Sequence, residues 1–327
     1  MVQCKKEVKM ILAGDIGGTN TRLALFENSK QIGEEKKFPS KNYSHLEAII
    51  KEFLGEKRVD KACFGIAGPI CDQVCKATNL PWVIDAEHIQ KNLNIPFVHL
   101  LNDLEANAYG LKVLEKKDLY LLNQGREQKG NQALISAGTG LGQAGLYWDG
   151  KDYQPFPCEG GHTDFGPRDG DEIELFLYLQ KKFGHVSYER VISGPGLVNI
   201  FEFLIDSKRE KLAPELKQEM DKGSPAKVIS EWAVSGKDKA CVRAVDWFIS
   251  LYGAEAGNLA LKFLALGGVY IGGGIAPRLV EKMKMGSFLS SFLSKGRFNK
   301  LLESIPIWVV LNDRTALLGA AYYVENR

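Results

Sequence analysis

No stretch of the 327 residues carries about 18 consecutive apolar side chains, and no basic start followed by a short apolar core opens the chain. Neither a membrane span nor a signal peptide is therefore expected. Charge of one sign is missing too. A formal balance of +2, with the lysines spread over predicted helix faces, leaves no electrostatic footprint for nucleic acid. The six cysteines, Cys4, Cys63, Cys71, Cys75, Cys158 and Cys241, form no CxxC pair. Cys71 and Cys75 are spaced like half a metal site, but without a partner pair the expectation is free thiols in a reducing cytoplasm. Two nucleotide signatures are also absent, the G-x-x-x-x-G-K-[ST] loop and the strand–glycine–helix dinucleotide fingerprint. What remains is an ordinary globular composition, 45% hydrophobic and 25% charged, long enough for two domains or one large one.

The stretch that organises the chain is Gly14-Asp15-Ile16-Gly17-Gly18-Thr19-Asn20. Apolar residues precede and follow it, so it reads as strand, tight turn, strand. Glycines suit the turn, but a plain hairpin has no need of Asp15 and Thr19. Bare backbone N–H groups and a hydroxyl at such a turn hold phosphate oxygens, and a nearby carboxylate holds magnesium, directly or through water. A smaller echo follows at Ser136-Ala137-Gly138-Thr139-Gly140-Leu141-Gly142, again between two apolar runs, and suggests two similar halves. A third glycine turn, Gly272-Gly273-Gly274, follows a short apolar strand and would let a flat adenine or ribose approach bare backbone.

Periodicity predicts helices over 43–54 and 173–183, strands over 61–66, 96–101 and 307–311, and a closing helix from Thr315. Asp85 is placed to cap a helix running through Leu93. Residues 206–240 read as peripheral helices. A long apolar-faced helix over 242–265 is expected to stop at Gly267-Gly268, and Pro277 suits the first turn of the next helix. Asn102-Asp103 falls where a strand gives way to a helix N-terminus, the place where open α/β sheets bind ligands.

Three glycine turns in two repeated halves point to a nucleotide cleft. On these residues the sequence resembles the sugar kinase, heat-shock and actin ATPase superfamily, the turns matching its two phosphate motifs and its adenosine motif. Narrower matches are Leu101-Asn102-Asp103, Glu159-Gly160-Gly161-His162-Thr163-Asp164-Phe165, Glu189-Arg190-Val191-Ile192-Ser193-Gly194-Pro195-Gly196-Leu197 and Lys295-Gly296-Arg297-Phe298. Together they are similar to the ATP-dependent bacterial glucokinases outside the ROK group, from about residue 10 to residue 323. The resemblance implies an α/β, two-domain actin-like ATPase (ribonuclease H-like) fold with mixed sheets flanked by helices and an active-site cleft between domains. A small domain would comprise 1–112 plus 312–327, and a large one 113–311. It also implies a cytoplasmic homodimer that phosphorylates glucose at the 6-hydroxyl with ATP and Mg²⁺, and that engages neither nucleic acid nor membrane.

The resemblance maps sugar binding onto Asn102, Asp103, Glu159, His162 and Glu189, and the base onto Asp103. Nucleotide binding maps onto Gly14, Asp15, Ile16, Gly17, Gly18, Thr19, Asn20, Gly138, Thr139, Gly140, Gly272, Gly273 and Gly274. Ser136-Ala137 stands where many members of the superfamily keep an aspartate, which leaves Asp15 as the main carboxylate near the metal. No cysteine follows His162 closely, so the zinc of ROK kinases is not expected. The residue types suit sugar binding, since carboxylates and an amide can meet several ring hydroxyls, and His162 donates or accepts. Each also has a plainer reading. Asn102 or Asp103 would cap a helix, His162 would be a structural histidine, and Glu189 would pair with Arg190 at the surface. Rival functions are a kinase for another hexose, a sugar-sensing regulator and an actin-like filament protein. The first nine residues are too short for a helix-turn-helix.

Overall fold

The computed structural model describes residues 10–77 and 79–327. Cys4 and the rest of residues 1–9 lie outside the described residues. The chain divides into two compact units, Met1–Glu115 with Asn312–Arg327, and Lys116–Leu311. Each repeats one pattern.

In the first unit, β1 (Ile11–Ile16), β2 (Asn20–Glu27) and β3 (Lys30–Pro39) form an antiparallel meander. Helix α1 (Leu46–Leu54) leads to β4 (Lys61–Ile66), which lies parallel beside β1. A small three-stranded sheet follows, β5 (Ile70–Cys71), β6 (Val74–Lys76) and β7 (Val83–Asp85). The sequence of this region reads as breaker and loop, because strands of two or three residues are too short to display alternation. Helix α2 (Ala86–Leu93) starts where expected, with Asp85 accepting from the Glu87 and His88 amides. Strand β8 (Phe97–Asn102) then runs parallel to β4, giving the order β3-β2-β1-β4-β8, and α3 (Asp103–Gly110) follows without a gap. The closing helix Thr315–Glu325 packs against α3. Their approach is so close that a Cβ on Gly110 would meet the Thr315 carbonyl and one on Gly319 the Ala106 carbonyl.

The second unit opens with β9 (Leu119–Asn123) and then repeats the meander as β10 (Gln132–Ala137), β11 (Leu141–Trp148) and β12 (Tyr153–Cys158). Strands β13 (Gly268–Gly272) and β14 (Ile307–Val310) complete the order β12-β11-β10-β13-β14-β9. Its helices are α4 (Gly170–Phe183), α5 (Gly194–Asp206), α6 (Pro214–Lys222), α7 (Pro225–Val234), α8 (Lys239–Phe263), α9 (Ala276–Met283), α10 (Ser287–Leu293) and α11 (Asn299–Glu303). The core is centred on α8, whose Phe248 and Tyr252 are almost wholly buried.

One predicted boundary is corrected. Helix α8 ends not at Gly267-Gly268 but at Leu264, which adopts the left-handed conformation itself, with φ 47°. The two glycines serve the strand that follows. A Cβ on Gly267 would meet the Gly130 carbonyl, and the Gly267 amide bonds the Asn131 carbonyl at 2.9 Å. Close approach explains Gly267, and a φ of +127° explains Gly268; neither ends the helix. Among the described residues no helix is long and apolar enough to cross a membrane.

Candidate active site

Register builds the site in the first unit. Ile16 lies beside Ile66, and Ile66 beside Asn102, at the carboxyl ends of three parallel strands. The Gly17–Gly18–Thr19 turn, the segment after Ile66 and the Asn102–Asp103 step therefore share one edge of the sheet. The turn is stapled from outside: Gly17 N–H donates to the Asn20 carbonyl at 3.0 Å, Ser40 N–H to the Thr19 carbonyl at 3.0 Å, and Ser40 Oγ to the Gly17 carbonyl at 2.8 Å. Sequence reading missed Ser40, for a lone serine after a strand carries no pattern.

Asn102 is the cap of α3. Its Oδ1 accepts from the Leu104 amide at 2.9 Å while its Nδ2 donates to the Gly68 carbonyl at 3.1 Å. An amide has two donors and two acceptor lone pairs, so capping leaves it chemistry to spare. Glu105, three residues on, bonds back to the Asn102 backbone, and its burial raises its carboxyl above the ordinary value. Asn102-Asp103-Leu104-Glu105 is thus a variant of the capping box, a signal present in the sequence and overlooked. Asp103 is the first helical residue rather than the cap, and its Oδ1 accepts from the Leu104 amide at 3.0 Å.

Asp15 sits opposite Arg22 in the β1–β2 ladder. Burial pushes its carboxyl up to about 6; Arg22 pulls it down, and Glu35 and Asp313 add to the rise. Arg22 donates to Asp313 Oδ2 at 2.8 Å, and Arg314 donates to Glu35 at 2.7 Å. Asp15 is therefore a carboxylate held at a cost that a nearby cation would relieve.

The second unit gathers its own set. The Phe165 amide bonds the Val186 carbonyl at 2.9 Å, and the Tyr188 amide bonds the Thr163 carbonyl at 3.1 Å. This short ladder lays the Glu159–His162 turn beside Glu189. His162 Nε2 is 4.0 Å from Glu159 Oε2, and both side chains are largely exposed. Glu189 does not pair with Arg190, whose guanidinium lies 4.2 Å from the Phe183 ring. Instead Glu189 Oε2 accepts from the Leu141 amide, just after the second glycine turn, at 2.9 Å. Ser193 Oγ caps α5 and donates to the Glu189 carbonyl at 2.7 Å, while the first amide of α5, Gly194 N–H, bonds the Gly138 carbonyl at 2.8 Å.

The glycine turns after β10 and β13 also meet. Ser136 is beside Gly272, and Gly273, at φ +83°, lies so close to the Ala137 carbonyl that no side chain fits. Buried Tyr252 joins them: its hydroxyl accepts from the Ala137 amide at 3.1 Å and lies 3.2 Å and 3.3 Å from the Ile135 and Gly272 carbonyls. Nothing in the sequence marked Tyr252, one aromatic among many on an apolar helix. Among the described residues no group of three or more His, Cys, Asp or Glu side chains is placed to hold a metal on its own.

The chain is similar to known proteins. A glucokinase of Trichormus variabilis is 43% identical over 334 residues, spanning 95% of this chain and 98% of its own. The crystal structure of glucokinase from an Antarctic psychrotroph matches with a TM-score of 0.84 at 28% identity, over 98% of this chain and 99% of that one. The Balamuthia mandrillaris glucokinase, solved in complex with glucose, matches with a TM-score of 0.81 over 99% and 95%; at 22% identity it shows the shared fold. The family model for glucokinase matches residues 12–327, and on that match and the 43% identity the chain belongs to the glucokinase family, built on the actin-like ATPase fold.

Proposed function

We propose that this chain transfers the γ-phosphoryl group of ATP to the 6-hydroxyl of D-glucose, in the cytoplasm and as a homodimer, with the two compact units acting as its small and large domains. Asn102, Glu159, His162 and Glu189 hold the ring hydroxyls, and Asp103 takes the proton of the attacking hydroxyl. The observation that carries this reading is the position of Asp103: a carboxylate on the first turn of a doubly capped helix, at the carboxyl end of a parallel strand, on the same sheet edge as the first glycine turn. A helix N-terminus favours the ionised carboxylate, which is the form that accepts a proton.

The phosphoryl transition state is loose, so positioning and charge neutralisation outweigh base strength. The amides around Gly17, Gly18, Gly138 and Gly140, with the Thr19 and Thr139 hydroxyls, grip the phosphates. The Gly272–Gly274 turn gives the nucleoside close access to backbone. Asp15, buried among acidic neighbours, fits a magnesium ion arriving with ATP, held directly or through water. That ion would neutralise phosphate charge; orienting the sugar and moving its proton fall to the protein.

Another hexose is the nearest alternative substrate. A coupled ADP-release assay over glucose, mannose, fructose and N-acetylglucosamine, with calorimetric glucose titration with and without ATP, tests the reading. Glucose should give the highest kcat/KM, and failure of glucose to bind would refute it.

A further inference from the structure

The Lys295-Gly296-Arg297-Phe298 motif has no part in the mechanism so far, yet Lys295 turns inward. Its Nζ donates to Asn258 Oδ1 at 2.6 Å, and Gly257 on α8 makes room, since a Cβ there would stand 3.0 Å from the Lys295 stem. Asn258 Nδ2 donates in turn to Glu255 Oε2 and to the Tyr188 hydroxyl, both at 2.9 Å. Glu255 is completely buried, and its Oε1 accepts from Gln143 Nε2 at 2.9 Å. The other end of that amide, Gln143 Oε1, is a buried oxygen without a hydrogen-bond partner among the described residues, and it presses on Gly160, where a Cβ would collide with it.

The chain of bonds therefore runs from Lys295 to two termini. One is Tyr188, adjacent to Glu189. The other is Gln143, beneath the Glu159–His162 turn. A fully buried carboxylate is costly unless charge and donors compensate it. The amides of Gln143 and Asn258 supply donors but no charge. Lys262 Nζ stands 3.7 Å from Glu255 Oε1 and is half exposed. Lys295 brings a second positive charge from the buried side, through a bonded amide.

We propose that Lys295 is a positioning residue for the sugar half of the site, holding Glu189 and the Glu159–His162 turn in register through Asn258, Glu255, Gln143 and Tyr188. This rests on the assignment of Glu159, His162 and Glu189 to glucose. Lys295 touches no substrate; its effect is on where the contacting side chains stand.

The test uses the full chain with Lys295→Met, Lys295→Gln, Glu189→Gln and the double variant Lys295→Met/Glu189→Gln. Lys295→Met should raise the glucose KM about tenfold, the scale of a lost hydrogen bond to a charged group, with the ATP KM unchanged. Lys295→Gln, which keeps a donor, should recover part of the loss. The double variant should raise the glucose KM by less than the product of the two single effects, because part of the Lys295 effect passes through Glu189. A purely structural role predicts penalties that multiply. If the Lys295 variants do not fold, Tyr188→Phe cuts the same chain at its far end without removing a charge, and should raise the glucose KM at least about threefold by loss of the hydroxyl that meets Asn258, Glu255 and the Gly166 backbone. A wild-type glucose KM in folded Lys295→Met, or in Tyr188→Phe, beside a raised one in Glu189→Gln, overturns the role of Lys295 alone. A wild-type glucose KM in Glu189→Gln overturns the sugar assignment, and the proposal with it.

Discussion

The Glu189 carboxylate accepts a hydrogen bond from the Leu141 backbone amide, while the Leu141 carbonyl lies against Gly161 of the Glu159–His162 turn, so close that a Cβ on Gly161 would overlap it. One backbone residue after the second glycine turn is thus in touch with both Glu189 and the Glu159–His162 turn. Removing the carboxylate should disturb both substrates. Glu189→Ala is expected to raise the glucose KM more than tenfold and the ATP KM about threefold to tenfold, from the lost charged bond and an amide left unpaired. Steady-state kinetics with each substrate varied checks it, and an unchanged ATP KM would show that the Leu141 bond does not shape the phosphate turn.

The two glycines of that turn should behave differently. A Cβ on Gly138 meets nothing within 4 Å, whereas one on Gly140 would stand 2.6 Å from Glu189 Oε2. Gly138→Ala should keep the melting temperature and the glucose KM but raise the ATP KM, because its methyl would enter the open space proposed to take phosphate. Gly140→Ala should raise the glucose KM as well, by displacing Glu189. Equal effects of the two substitutions on glucose would count against this.

Asp103→Ala should lower kcat by at least ~10²-fold, the lower end of what a positioned base contributes, while the glucose KM changes far less. Asn102 Oδ1 accepts from the same Leu104 amide as Asp103 Oδ1, so the amide keeps an acceptor in the variant, which should fold. Wild-type turnover would remove Asp103 from the role of base.

The ligand-free protein should carry a pH signature from Asp15. Burial places its folded-state value near about 6, above the ordinary carboxylate. The folded state therefore holds the proton more tightly than the unfolded chain. The associated stability is complete below about pH 4 and is lost as pH rises through about 6, by up to about 3 kcal/mol. Asp15→Asn removes the titrating group. Its melting temperature relative to wild type should climb across that window and then level off. A constant difference would refute the assignment.

Tyr252→Phe should destabilise the second unit by about 1–3 kcal/mol, since the buried Ala137 amide loses its acceptor. It should also raise the ATP KM, because the turns after β10 and β13 lose their common tie. Denaturant unfolding and nucleotide kinetics test the two effects separately.

Much of this was legible before any coordinates. The two hairpin–glycine repeats announced two like units, and strand order confirms the echo, a meander followed by parallel strands in each. Asp85 and Pro277 marked helix starts that the structure keeps. Local signals served there because caps, prolines and glycine turns act on their immediate neighbours. They misled at Gly267-Gly268, where Gly267 answers a contact with Gly130 and Asn131, more than a hundred residues away, and Gly268 a backbone φ of +127°.

The glycine turns and the Glu159–His162 and Glu189 segments are read directly from the order of amino acids, since bare backbone, hydroxyl and carboxylate groups are chemical properties of the residues themselves. Which neighbours hold them was decided only in three dimensions. Ser40 on the first turn, Leu141 under Glu189, Tyr252 reaching from α8 to Ala137, and Lys295 reaching to Asn258 on α8 are far apart in the chain and follow no period. Packing alone brings them within bonding distance, because a buried polar atom must find its partner wherever the fold has placed one.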